Sequence, residues 1–270
     1  MSFRRRYRHL KWKVLAKLSP LCGAVVLANV QGKKMYLDLS DRVHSESLYT
    51  TGMWEKNEAA CFVQHIHSGM IVIDIGANVG YYSLLAAEKV GVSGNVFAFE
   101  PEPSRYRLLE KNIQANGCKQ VMSVQKAISN KTGTARLYLD PRNNPGDHRL
   151  YDSKDGRDSI VVETVRLDDF FKDKDSPIHF IKMDIQGAEM AALEGMGDII
   201  KRNDDLMILT EFWPQGMRKC GFSPIEFLNT LVAKGFHLHI VADENQSFKH
   251  MEPEQILKMC EDETYLLCRK

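Results

Sequence analysis

The sequence predicts an α/β fold of the Rossmann-like, doubly wound kind, built on a mostly parallel sheet. Three observations predict it. Ile71–Ile75 is an unbroken apolar run, as expected for a central parallel strand buried on both faces. Strand-like and helical segments then alternate to the end of the chain, the pattern of a parallel sheet covered by helices. The first such strand runs into a glycine-bearing turn and a helix, Asp74-x-Gly76-x-x-x-Gly80.

Residues 1–18 place Tyr7, Leu10, Val14, Leu15 and Leu18 three and four apart, which predicts an amphipathic helix closed by Pro20. Ala24–Asn29 and Lys34–Leu39 alternate around Gln31-Gly32-Lys33 and predict a β-hairpin. Glu55–His67 reads as a helix. After Ile71–Ile75 come a helix to about Val90, a strand at Asn95–Glu100 and a helix at Pro103–Asn116. Pro103 suits the first turn of that helix and Gly117 its C-terminal cap. Val121–Ile128 is a third strand. Ala135–Leu139 and Ile160–Val165 read as strands around a polar loop, Asp140–Asp158, long enough to suggest a lid or substrate loop. Ile178–Asp184, a helix from Ala188 to about Lys201, Leu206–Glu211, a helix at Ser223–Lys234 with Ser223 as N-cap, Phe236–Val241 and Thr264–Cys268 complete the chain. This divides it into a basic extension (1–20), a hairpin and helix packed on the core (21–69), and a main domain (70–270) carrying an insertion at 134–168.

The composition, 44% hydrophobic and 26% charged, is that of a globular chain large enough to bury its own core. Residues 1–20 hold seven Lys and Arg and no acid, so a total of +1 leaves the remainder at −6. The body is therefore not a nucleic-acid surface. The basic tail suits anionic lipid or RNA, or a solvated terminus. The six cysteines are scattered, without zinc-ligand spacing, and suit a reducing, cytoplasmic setting. No apolar run approaches the roughly 18–20 residues of a membrane span, so any membrane contact is peripheral.

In open α/β sheets ligands bind at the carboxyl ends of the strands. A dinucleotide site requires GxGxxG, but counting from Gly76 the second and third positions are Asn78 and Tyr81. A carboxylate at the strand end, Asp74, suits instead a ligand with a cationic centre and no pyrophosphate. Glu100 ends the next strand, where a carboxylate accepts hydrogen bonds from a ribose. Asp74, Gly76, Gly80 and Glu100 thus describe a pocket for an adenosine bearing an amino-acid-like tail. Asp74 and Glu100 acting only as helix caps is the plainer alternative.

Residues 70–128 resemble class I methyltransferases, and a wider set resembles the FkbM family. It comprises Asp74-Ile-Gly-Ala-Asn-Val-Gly80, Phe99-Glu-Pro-Glu-Pro103, Asn112-x-x-x-Asn116, Leu167-Asp-Asp169, Ile181-Lys-Met-Asp-Ile-Gln-Gly-Ala-Glu189 and the upstream Gly52-x-x-Glu55. The resemblance covers about residues 50–212, and the Lys-x-Asp-x-x-Gly-x-Glu block makes it specific. Gln186 departs from it, standing where the family often has Glu. The resemblance implies S-adenosyl-L-methionine as cofactor, a seven-stranded sheet with the last strand antiparallel, and O-methylation of sugar or natural-product hydroxyls.

Ala77, Asn78, Tyr81, Pro101, Ala127, Glu55 and Asp184 complete the candidate cofactor set begun by Asp74, Gly76, Gly80 and Glu100. Asp184, at the end of a central strand, is also the first candidate for a base or acceptor anchor. Lys182 lies one pleat earlier on the same face and would keep it ionised. Glu189 follows by a helical turn, and Glu211 ends the next strand as a second candidate base. A Lys182–Glu189 ion pair bracing the turn is the structural alternative. No histidine, His65, His67, His148 and His179 included, has a spacing that marks it. The turn Asp184-Ile-Gln-Gly187 lacks the prolines usual in enzymes that methylate base amines. Trp213-Pro214 is a candidate stacking surface for a sugar. The expected partner is a small-molecule or glycan acceptor and no specific nucleic acid, with weak membrane-surface contact through the basic terminus. The competing readings are an RNA methyltransferase and a non-catalytic adenosylmethionine-binding protein.

Overall fold

The computed structural model describes residues 3–22, 25–141, 144–174, 176–241, 250–260 and 262–270. The chain opens with α1 (Phe3–Cys22), the hairpin β1 (Val25–Val30) and β2 (Lys33–Asp38), and two helices, α2 (His44–Thr51) and α3 (Lys56–Gln64). The alternating part begins with β3 (Ile71–Ile75), α4 (Tyr81–Val90), β4 (Asn95–Phe99), α5 (Pro103–Ala115) and β5 (Val121–Val124). Three short strands follow, β6 (Ala127–Ile128), β7 (Gly133–Tyr138) and β8 (Ser159–Val165), then α6 (Leu167–Phe170). The rest is β9 (Phe180–Met183), α7 (Glu189–Glu194), α8 (Gly197–Arg202), β10 (Met207–Phe212), α9 (Pro214–Lys219), α10 (Pro224–Ala233), β11 (His237–Ile240), α11 (Pro253–Met259) and β12 (Thr264–Arg269).

The seven-stranded sheet has the order β11-β12-β10-β9-β3-β4-β5. The β10–β9, β9–β3, β3–β4 and β4–β5 pairings are parallel, whereas β12 is antiparallel to both neighbours. This is the fold the sequence predicts. One face buries Ile73, Ile75, Phe97, Phe99, Ile181 and Met183 under α7, α8 and α10. The other buries Val72, Val96, Phe180 and Leu209 together with α4, the hairpin and Trp12. At roughly 25 cal/mol per Å² of apolar surface, such two-sided burial is the main stabilising term of the sheet.

The structure departs from expectation in four respects. α1 runs to Cys22, two residues beyond Pro20. The stretch Val121–Ile128 is two strands: β5 stays in the main sheet, and β6 pairs with β8 in a separate three-stranded sheet. The expected helix from Ala188 to Lys201 is two, α7 and α8, interrupted at Gly195. A Cβ on Gly195 would lie 2.2 Å from the Ser129 carbonyl oxygen, so the chain passes too close there for any side chain. The helices α2, α9 and α11 are additional; each has seven or eight residues or fewer, too short for a periodic pattern to mark.

Two of the shared motifs hold this frame together. Asn112, fully buried on α5, accepts the Tyr36 N–H at 2.6 Å and donates to the Val79 and Tyr36 carbonyls. Asn116 accepts from Lys34 N–H and donates to the Lys34 carbonyl. The pair therefore rivets the hairpin to α5. Asp168 of the Leu-Asp-Asp motif accepts the Asp198 and Ile199 N–H groups and caps α8.

Candidate active site

A cavity of about 240 Å³ opens at the carboxyl ends of β3, β4 and β9. Because β3 lies between the other two, Glu100 after β4 and Asp184 after β9 stand on opposite sides of it. Of the candidate residues, Glu55, Gly76, Ala77, Asn78, Tyr81, Glu100, Pro101, Ala127, Lys182 and Asp184 line this one space.

Four candidates stand behind the wall. Asp74 is fully buried and accepts a hydrogen bond from the Ser83 hydroxyl at 2.6 Å. Burial raises its pKa, against the pull of Lys182. Gly80 has φ of 90°, and a Cβ there would meet the Leu109 side chain at 2.7 Å. Glu189 accepts the Ile185 and Gly187 N–H groups and ties down the turn after β9. Glu211 is fully buried and accepts from the Gln186 amide at 2.8 Å. Gly76 lines the cavity, yet its lack of a side chain answers to packing: at φ of 82° its Cβ would fall 2.1 Å from the Asp184 carbonyl oxygen.

At the Glu100 side, the buried carboxylate accepts the N–H of Asn78 at 2.8 Å and that of Glu102 at 2.8 Å. Burial pushes its pKa up to about 7, partly offset by those two donors. The Asn78 side-chain oxygen is buried with no partner of its own. A carboxylate with spare lone pairs beside an unpaired amide oxygen suits the hydroxyls and amine of a nucleoside.

At the Asp184 side, Lys182 bonds Asp184 Oδ2 at 3.2 Å, and its ammonium sits 4.7 Å from the Tyr82 ring centre. Lys182 thus stands against Asp184, the partner the sequence suggests, and not in the alternative ion pair with Glu189. Gln186 donates to Asp184 Oδ1 at 3.0 Å, and the Tyr265 hydroxyl approaches Oδ2 at 2.8 Å. Burial acts to raise the Asp184 pKa, but Lys182 and these hydrogen bonds outweigh it and hold the group ionised.

The hydrogen bonds around Glu55 bear on its protonation. The Tyr82 hydroxyl donates to its Oε2 at 2.8 Å, and the Tyr265 hydroxyl lies 3.1 Å from its Oε1. Tyr265 has a single hydrogen, which ionised Asp184 takes. A proton on Glu55 lets it donate to the Tyr265 oxygen in return, so that both contacts are satisfied. Burial and the Asp184 charge push the Glu55 pKa up to about 8, in agreement. Burial and the same charge hold Glu211 well above the usual carboxylate range.

His44, Trp54, Tyr82 and Glu263 join this wall without a sequence signal, whereas Gln186 and the 140–158 loop, read from its length and polarity as a lid or substrate loop, also line it. His44 begins a helix too short to show a period. It is buried, its pKa lowered to about 4 by burial, and its Nδ1 has no partner. From the 140–158 loop, Asn144, Pro145, Gly146, His148 and Leu150 close the cavity. Trp213 does not line it: the ring lies flat on Gly216, with the Arg149 guanidinium 4.7 Å from its centre. Three of the five non-glycine residues with left-handed backbone among the described residues, Glu55, Asn78 and Gln186, are in the wall. Strain concentrated in this way marks a site whose geometry the fold enforces.

An adenosine-sized cavity at the switch between strands, walled by carboxyls and lacking a pyrophosphate turn, defines an S-adenosylmethionine-dependent methyltransferase. The Methyltransferase FkbM domain matches residues 74–252, and the chain belongs to that family. Its relatives include the methyltransferase sdnD of Sordaria araneosa, 28% identical over 58% of this chain and 71% of that one. Another is the hexuronic acid methyltransferase AglP of Haloferax volcanii, 28% identical over 48% of this chain and 52% of that one. The chain thus spans about half the length of the second. A solved SAM-dependent O-methyltransferase from Thermotoga maritima is 12% identical over 81% of this chain and 66% of that one, with a TM-score of 0.47.

Proposed function

We propose that the protein methylates a hydroxyl of a sugar or similar polyhydroxylated small molecule. The observation that carries this is the Asp184 side of the cavity. Asp184, Gln186 and Glu263 line it, and their oxygens are the complement of a molecule rich in O–H donors. A relative named for hexuronic acid methylation supports the same class. The free Cys61, Cys118, Cys220, Cys260 and Cys268 fit a cytoplasmic setting.

The residues present fit the cofactor. Glu100 would take the ribose hydroxyls, Asn78 the nucleoside or its tail, and Gly76, Ala77, Pro101 and Ala127 would pack around it. S-adenosylmethionine supplies a methyl group on a cationic sulfur. On the acceptor side, Asp184 receives the hydrogen bond of the reacting hydroxyl and orients its oxygen. Alignment of this sort is worth up to about 7–11 kcal/mol of the barrier. The departing hydroxyl proton goes to Asp184, with Lys182 balancing the charge that Asp184 carries beforehand. A second reading assigns the proton to His44, whose neutral ring keeps an unpaired nitrogen in the wall.

The test is transfer of labelled methyl from S-adenosylmethionine to a glycan extract and, separately, to total RNA. Label should enter the glycan fraction. Loss of a general base lowers rates about 10²–10⁴-fold, so Asp184→Asn should fall by that much in single turnover while binding the cofactor normally. Near-normal turnover in that variant with loss in His44→Gln would move the proton to His44. Label in RNA alone would overturn the acceptor class.

A further inference from the structure

α1 has two apolar sides. One is used: Trp12 is 1% exposed and packs on Tyr49 with ring centres 5.2 Å apart. Arg8 secures the same side by donating to the Asn29 carbonyl at 3.2 Å, and His9 meets Glu46 at 3.2 Å. The helix is therefore docked on α2 and the hairpin.

The other side is bare. Tyr7, Leu10, Val14 and Leu18 are 62%, 64%, 50% and 43% exposed. At 3.6 residues per turn these four fall within an arc of about 80°, centred nearly opposite Trp12. Arg6, Lys13 and Lys17 flank the stripe on one side and Lys11 on the other, all exposed. The helix contains no acid. A stripe of large apolar side chains left in water is uncommon unless something covers it.

We infer that this outward face of α1 seats the protein on an anionic lipid bilayer. The chemistry selects that occupant. Aliphatic and aromatic side chains between cationic rims match acyl chains beneath anionic headgroups, the pattern of helices that lie in the interface plane. RNA would pair with the Lys and Arg but offers no partner to Leu10, Val14 and Leu18. A second copy, joined face to face, would set the cationic rims against each other with no acid on the helix to balance them. No helix among the described residues is long and apolar enough to cross a membrane, so this contact is peripheral. α1 packs on α2, whose first residue, His44, lines the cavity. The inference does not depend on the acceptor.

The experiment is flotation of the full chain with phosphatidylcholine vesicles, with and without phosphatidylserine, at low and high salt. Binding should require phosphatidylserine and weaken with salt. It should fall at least about tenfold in Leu10→Gln/Val14→Gln, which removes one apolar layer, and in Lys13→Gln/Lys17→Gln, which removes part of one rim. All four side chains are exposed, so calorimetric cofactor binding should be unchanged in both variants, showing an intact fold. Absence of vesicle binding overturns the inference. So does binding that ignores the Leu10/Val14 change, which leaves only charge attraction. Tighter binding to total RNA than to vesicles, or a dimer that the Leu10/Val14 change dissolves, assigns the face to those partners instead.

Discussion

At the scale of single residues, the site is a set of shared hydrogens: the Tyr82 and Tyr265 hydroxyls both reach Glu55, and Tyr265 also reaches Asp184, which Lys182 and Gln186 bond as well. Its state depends on the proton of Glu55. With a pKa of about 8 in the fold against an ordinary 4.5, Glu55 is protonated in the folded protein and ionised in the unfolded chain between those values. The folded state then binds more protons, so this group makes stability fall as pH rises from about 4.5 to 8. Glu55→Gln keeps both hydrogen bonds, since its amide accepts from Tyr82 and donates to Tyr265, but it cannot ionise. The variant should therefore lose less stability between pH 5 and pH 8 than the parent, as measured by urea unfolding. Parallel pH profiles would mean that Glu55 is already ionised.

At the scale of elements, the 140–158 loop is the instructive case. Its polarity reads as a mobile cover, yet it has an internal anchor. The Arg157 guanidinium is wholly buried and reaches Asp140 at 3.3 Å, Asp147 at 2.8 Å and Asp155 at 2.9 Å. Arg149 binds Asp147 and lies over Trp213 after β10. Removing one member of a buried ionic cluster leaves the others uncompensated, at a cost of roughly 3–5 kcal/mol. Arg157→Met should open the loop: amide exchange over residues 144–158 should accelerate while the central strands keep their protection. Opening should also weaken turnover more than it weakens the fold, because Asn144–His148 form one wall of the cavity. Unchanged exchange would show that the loop is held by its packing and not by this cluster.

At the scale of the whole molecule, cofactor and fold are linked. Anything that binds only the folded state stabilises it, by about 2.7 kcal/mol at a hundred times its Kd. S-adenosylmethionine should therefore raise the unfolding temperature, and NAD should not, because the turn after β3 lacks the second and third glycines of a pyrophosphate site. Glu100→Ala should reduce both the affinity, by ~1–3 kcal/mol, and the ligand-induced shift. Titration calorimetry with a thermal melt reads the two together. A full shift in that variant would remove Glu100 from the nucleoside contacts.

The sequence by itself determined the strand–helix alternation, the antiparallel last strand through its family resemblance, and the strand ends at which ligands gather. Those properties depend on local periodicity and on turn residues. The tertiary structure decided which side chains share the cavity. Asp74, Gly80, Glu189 and Glu211 carry motif positions yet stand behind the wall, because one pleat or one turn moves a side chain from a surface to the packing beneath it. Glu55, Tyr82 and Tyr265 come from three distant parts of the chain and meet because β12 inserts beside β10. Asn112 and Asn116 read as motif letters in one dimension and act as rivets in three. The protonation of Glu55 is decided last of all. It depends on burial and on hydrogens contributed from residues 27 and 210 positions away, a sum that no stretch of sequence contains.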